Sequence, residues 1–234
     1  MTEITPQLIA DLETIDTPTV CNALELVAPD RRGWGYTVEP LVCARPELGA
    51  MVGFARTATI RAQHPSGDDA AATERRDAYF QYVDDGPKPS IMVIHDLDGH
   101  SRGYGSWWGE VNSTIHLGLG SKGVVTDGSI RDLPDIAEGF QLLAGRVGPS
   151  HAFVHLVGFG EQVKVAGMRV DDGDLIHADQ HGAVVIPLDI AGDVMAAADL
   201  IARREAVIIE AAKESGFDHH QLLDARRRSS EIQS

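Results

Sequence analysis

The chain has 234 residues, 43% of them hydrophobic, with a formal net charge of −15 and only two cysteines. That size and apolar content suffice for a packed core and exclude a disordered chain, and no apolar run approaches the roughly 18 residues of a membrane span. The acidic balance argues against nucleic acid as a partner, since phosphate binding needs a basic face. Cys21 and Cys43 are too few for a disulfide framework or a thiolate metal site.

The first residues, 1–6, carry neither a basic n-region nor an apolar h-region, so the expectation is a cytoplasmic protein without an export signal. Leu8, Ile9, Leu12 and Ile15 recur at helical spacing and predict a helix over 6–15. Thr17-Pro18 reads as a cap with proline at the first helical position, opening a second helix to about Leu26. Residues 28–49, rich in Gly, Pro and Arg, read as irregular, and 51–60 as a strand. An Ala-rich, charged stretch predicts a helix over 68–82, and the apolar 90–95 a strand. After the loop 96–105, a helix is expected from near Ser106 to Leu117 with Val111, Ile115 and Gly118 on one side. A buried strand follows at 123–126, and Asp127-Gly128 reads as a turn into Ser129–Asp132.

From Phe140 to Pro187 short β segments alternate with glycine turns, at 153–157, 162–165, 175–178 and 183–186. Residues 189–214 predict one long amphipathic helix, and 215–234 a polar tail in which Arg226–Arg228 solvate a frayed end. With no repeat and no linker, 1–234 reads as a single α/β domain with its core at about 15–215.

The chemistry concentrates in Trp108–Asn112 and Gly123–Asp132. Twenty residues separate Glu110 from Arg131. A helix, a turn and a strand in that interval return the chain to its starting edge, so Glu110, Arg131 and Asp132 can converge on one cleft. Cleaving a C–C bond beside a 2-oxo acid leaves an enolate, held by a lysine Schiff base or a divalent cation. The three lysines, Lys88, Lys122 and Lys164, have no obvious buried setting, which favours the metal. Asp132 would supply a hard oxygen ligand to Mg²⁺ or Mn²⁺, Glu110 would hold one of the ion's waters, and Arg131 would steady the enolate oxygen. The residues alone leave a plain alternative open: Asp132 as a helix cap with Asp135 as its capping-box acid, Arg131 as a surface cation, Glu110 as a first-turn carboxylate.

The pattern of an acid, twenty residues, then Arg-Asp, preceded by Trp108-Gly109 and followed by an acid at 135, resembles the class II 4-hydroxy-4-methyl-2-oxoglutarate/4-carboxy-4-hydroxy-2-oxoadipate aldolases of the RraA-like group. Thr19–Leu24, Met51–Ala58 and Asp172–Pro187 match the same group, so the resemblance covers about 15–215. It implies an α/β/β/α sandwich of the swivelling β/β/α type, assembled as a homotrimer or homohexamer with active sites between subunits. It further implies that Asp132 ligates Mg²⁺ or Mn²⁺, Arg131 contacts pyruvate, Glu110 holds a water of the ion, and main-chain amides around Trp108, Gly109 and Val111 receive the substrate carboxylate. A glutamate from a neighbouring subunit's C-terminal helix completes such sites; Glu205 is the nearest match, with Glu210 competing.

The expected activity is retro-aldol cleavage of a 4-hydroxy-2-oxo acid through a pyruvate enolate, with oxaloacetate decarboxylation as a related reaction. Two alternatives stand beside it: another metal-dependent lyase or hydrolase on a carboxylated small molecule, and a non-catalytic regulator like RraA itself, which binds RNase E but lacks the acid–Arg–Asp set. The chain departs from the aldolases in its loop 98–105 and in its histidines at 100, 116, 151, 155, 177 and 181, which leave room for a recruited acid/base.

Overall fold

A computed structural model describes residues 3–233; Met1 and Thr2, part of the stretch read for an export signal, and Ser234 lie outside the described residues. The helices are α1 (Pro6–Leu12), α2 (Thr17–Val27), α3 (Asp69–Asp85), α4 (Glu110–Gly118), α5 (Val194–Lys213) and α6 (His219–Glu231). The strands are β1 (Val42–Cys43), β2 (Met51–Arg61), β3 (Ser90–Asp96), β4 (Ser106–Trp108), β5 (Ser121–Ile130), β6 (Gln141–Val147), β7 (His155–Phe159), β8 (Val163–Val165), β9 (Met168–Val170), β10 (Leu175–Asp179) and β11 (Gly182–Ile186). None of the described helices is long and apolar enough to cross a membrane.

One sheet runs β1-β6-β5-β3-β2-β10-β11, with β4 added to β5 and β7 to β2. Its centre is parallel: β2 with β3, β3 with β5, β5 with β6, and β4 with β5. The flanks β1, β7, β10 and β11 pair antiparallel, and β8–β9 form a separate hairpin.

The alternation of side chains along the strands sorts the apolar residues into three spaces. Ile91 and Val93 of β3 point inward, with Met51, Ala55, Val125, Leu143, Ile176 and Val185, onto the β8–β9 hairpin. Met92 and Ile94 point outward, with Val124, Leu142 and Ile60, against α3 and the start of α4. On the far side Val52, Leu175, Val184 and Ile186 meet α1, α2 and α5. Helix, sheet, sheet and helix layers in that order are the α/β/β/α arrangement.

Several details differ from the sequence reading. The cap of α2 is Asp16, which accepts from the Thr19 amide at 2.9 Å, because Thr17 is committed elsewhere: its amide donates to Asp179 and its hydroxyl to His177 Nδ1. Helix α1 stops at Leu12, and α5 starts only at Val194. No helix starts at 106: Ser106–Trp108 is a strand on the end of β5, and α4 begins at Glu110. Asp127-Gly128 is not a turn. β5 runs straight through it, with a register shift against β6 between Thr126 and Ser129, because the Asp127 carboxylate is held from inside by the Asp96 amide, His95 and Arg102.

The segment 215–234 is not a frayed tail. Residues His219–Glu231 form α6, opened by a capping box between Asp218 and Gln221. It docks on α5 through Ser229 Oγ to the Arg204 carbonyl and Arg204 to the Ile232 carbonyl. Arg227 and Arg228 pair with Asp224 and Glu231 along its surface.

Candidate active site

β4 carries the chain into α4 and lies against the end of β5, so the two ends of the proposed constellation meet where these strands stop. The Arg131 amide donates to the Trp108 carbonyl at 2.9 Å. The next residue, Asp132, sits in the left-handed region at φ 54°, which folds its carboxylate back over Gly109. Arg131 Nη1 reaches Asp132 Oδ1 at 3.2 Å, and Oδ2 occupies the volume that a Cβ at 109 would need. The chain beyond is pinned to α4, since the Ala137 amide donates to Ser113 Oγ at 3.1 Å.

α4 begins on Gly109, and no side chain caps its first amides. Those amides carry the positive end of the helix dipole and remain free for an anion. The helix is fixed from behind by buried polar groups. Asn112 Nδ2 donates to the Trp107 carbonyl at 2.6 Å, His116 Nδ1 to the Asn112 carbonyl at 2.6 Å, and the Tyr79 hydroxyl to His116 Nε2 at 2.8 Å. Burial drives the His116 pKa down to about 4, which keeps the ring neutral and able to accept from Tyr79.

The structure brings Trp108, Gly109, Arg131 and Asp132 into contact, with Glu110 and Val111 next in the chain at the head of α4. The Trp108 side chain is fully buried against His116 and Phe140, so only its main chain faces the corner. Asp132 is not a side-chain helix cap: the short 3₁₀ turn at Leu133–Asp135 receives no bond from it. Glu205 is not brought here. It is exposed on α5, in the outer layer on the opposite side of the sheet, and Glu210 on the same helix pairs with Lys213. His177 serves the fold: Thr17 Oγ1 bonds its Nδ1, and its Nε2 donates to the Leu12 and Ile15 carbonyls. His181 lies beside the Asp179 carboxylate at 3.1 Å.

The corner is open in the single chain, with the Arg131 and Asp132 side chains 34% and 30% exposed. The side of α4 that carries Val111 and Ile115 faces outward. Ser113 and His116 are buried, whereas Val111 (67% exposed) and Ile115 look outward.

The donor set suits a hard, hydrated cation. Among the described residues no three His, Cys, Asp or Glu side chains converge as a ready-made cage. One carboxylate at 132 and a second at 110 leave most positions to water, which is the preference of Mg²⁺. The lysines serve elsewhere: Lys122 pairs with Glu13, Lys88 donates to the Val83 carbonyl at 2.7 Å, and Lys164 is exposed.

The RraA-like family model, described as Aldolase/RraA, matches residues 17–185. The chain belongs to the RraA-like family. Solved structures share the fold at low identity. An uncharacterized protein from Pseudomonas syringae pv. tomato is 24% identical over 97% of this chain and 100% of its own, with a TM-score of 0.69. Streptomyces coelicolor RraAS2, described as an unusual member of the RNase ES inhibitor RraA family, is 20% identical over 88% and 97%, with a TM-score of 0.68. A structure from work on novel cellulases of gut-associated microbes is 19% identical over 88% and 90%, with a TM-score of 0.70. No protein of curated function matches the sequence. The family thus spans aldolases and RNase inhibitors, and the RraA-like members it resembles in shape fix the fold alone.

Proposed function

We propose that this RraA-like chain is a divalent-metal-dependent lyase that cleaves a 4-hydroxy-2-oxo acid by retro-aldol chemistry, with oxaloacetate decarboxylation as a related activity. The observation that carries this reading is the Asp132 carboxylate folded over Gly109 at an uncapped helix start, with the Arg131 guanidinium 3.2 Å away.

In this reading Asp132 holds Mg²⁺ or Mn²⁺, and the ion when bound supplies Lewis-acid stabilisation of developing negative charge. The chain's own groups do the rest. The free amides at Gly109–Val111 bind the substrate carboxylate. Arg131 donates to the 2-oxo oxygen, orients it, and strengthens its hold as the C3–C4 bond breaks and the electron pair moves toward that oxygen. The 4-hydroxyl proton passes to a base as C4 becomes the carbonyl carbon of the aldehyde or ketone product, and C3 of the enolate takes up a proton to give pyruvate. Glu110 orients water at the head of α4. Glu205 of a neighbouring copy is the candidate to move the proton, because no acid of the α5 layer reaches the corner from within one chain.

The test is a panel of 2-oxo acids assayed for pyruvate release with and without EDTA, oxaloacetate included. The expected result is Mg²⁺- or Mn²⁺-dependent turnover that Asp132→Ala abolishes while the circular dichroism spectrum stays native. Undiminished metal-dependent turnover in that variant, or no turnover of any 2-oxo acid by the wild type, overturns the proposal.

A further inference from the structure

A cavity of about 360 Å³ lies between α3 and the segment 151–156, apart from the Arg131–Asp132 corner. One wall is a helix face: Asp69, Thr73 and Arg76 fall at helical spacing along α3. The other wall is His151, Ala152, Phe153, Val154 and His155, and Trp107 also lines it. The volume is at the lower end for small-molecule sites.

Three features mark this place as more than a gap. First, His151 Nδ1 is 2.7 Å from the Ala152 carbonyl and His155 Nδ1 is 2.8 Å from the Phe153 carbonyl. A carbonyl only accepts, so in each ring a proton sits on Nδ1, and Nε2 is the nitrogen left without a protein partner. Second, the indole N–H of Trp107 is shut from solvent and has no acceptor, in a residue only 8% exposed. With that N–H covered, what Trp107 lends the cavity is ring surface. Third, Ala152 holds φ at 44°, which an L-residue adopts at a cost, and its neighbour's carbonyl oxygen packs where a side chain at Gly105 would stand. Phe153 stays 55% exposed.

We infer that this cavity is a second ligand site, for a small hydroxylated aromatic acid. Its hydroxyls suit the Nε2 atoms of His151 and His155 and the Asp69 carboxylate. Its carboxylate suits the Arg76 guanidinium. Its flat ring suits the faces of Trp107 and Phe153. The inference does not depend on the lyase reading. The two sites share only β4, where Trp107 turns toward this cavity and the Trp108 carbonyl holds Arg131.

The experiment is calorimetric titration of the full chain with 3,4-dihydroxybenzoate, and with benzoate and inorganic phosphate as comparisons. Saturable binding of 3,4-dihydroxybenzoate at millimolar concentration or below is expected, tighter than benzoate and with no response to phosphate. His151→Ala and Arg76→Ala should each weaken it by about ten-fold or more, with native thermal melts, and Asp132→Ala should leave it unchanged. Imidazole ¹⁵N spectra should show the Nε2 signals of His151 and His155 shifting on binding while the Nδ1 signals stay. Absence of saturable binding overturns the inference. So does an affinity unaffected by both cavity variants, or one lost in Asp132→Ala, which would place the ligand at the other corner.

Discussion

At position 109 a side chain and the Asp132 carboxylate compete for one volume. Gly109 has an extended backbone, so glycine is required there by crowding and not by dihedral freedom. Gly109→Ala forces Asp132 Oδ2 to swing off the head of α4. The expected outcome is a loss of metal-dependent turnover of about a hundred-fold, the scale seen when a reacting geometry slips by an ångström. The melting temperature should move by only a few degrees, and unchanged kcat and KM would show that the carboxylate has no part in the reaction. The meeting of Arg131 and Asp132 with the start of α4 was legible in sequence because the interval from Glu110 fits one helix, one turn and one strand. The roles of His116 and His177 were not: a histidine reads alike in sequence whether it faces a ligand or a buried carbonyl. The cavity histidines His151 and His155 belong to a segment whose backbone turns at Ala152, where no glycine announces the turn.

Among the elements, α4 and the α1–α2 elbow are each held through a buried histidine, and both rings have pKa values lowered by burial. An unfolded chain takes up protons at these rings as pH falls through about 6.5, whereas folded His116 resists until about 4. The stabilisation is therefore complete above pH 6.5 and is lost as pH falls from there toward 4. For His116 the full span is of order 3 kcal/mol. Asp96, raised by its own burial, acts in the opposite direction but nearer the carboxylate range. Urea midpoints measured from pH 7.5 to 4.5 should fall, and His116→Gln should flatten the slope; a midpoint independent of pH would contradict this account. The elements that sequence reading missed share a cause. β4 is three residues at a sheet end, and β6 is buried on both faces over its first four residues and so shows no alternation, so their partners, not their own patterns, make them strands. Apolar periodicity gave α4 its existence but not its buried side, because Asn112, Ser113 and His116 answer to hydrogen bonds from β4, the 137 loop and α3.

For the whole molecule, the outward side of α4 leaves Val111 and Ile115 exposed beside the open corner, and Leu133, next after Asp132, is exposed as well. A chain in water rarely leaves such a group uncovered, and under the proposed lyase reading a second copy would both cover it and bring an α5 glutamate within reach. Light scattering is expected to give three or six times the 25.2 kDa chain mass. Val111→Glu paired with Ile115→Glu should dissociate the assembly and remove turnover together; a fully active monomer would rule out a shared site. The glycine-started helix has one more consequence. Its bare amides form a small positive spot on a body that carries −15 overall, so the anionic substrate of the proposed reaction would climb a repulsive field before docking there. Added potassium chloride shortens the reach of that field to about 8 Å at physiological strength. kcat/KM should accordingly rise with salt at first, the reverse of the usual steering effect, and then fall once the contacts at the spot are themselves weakened.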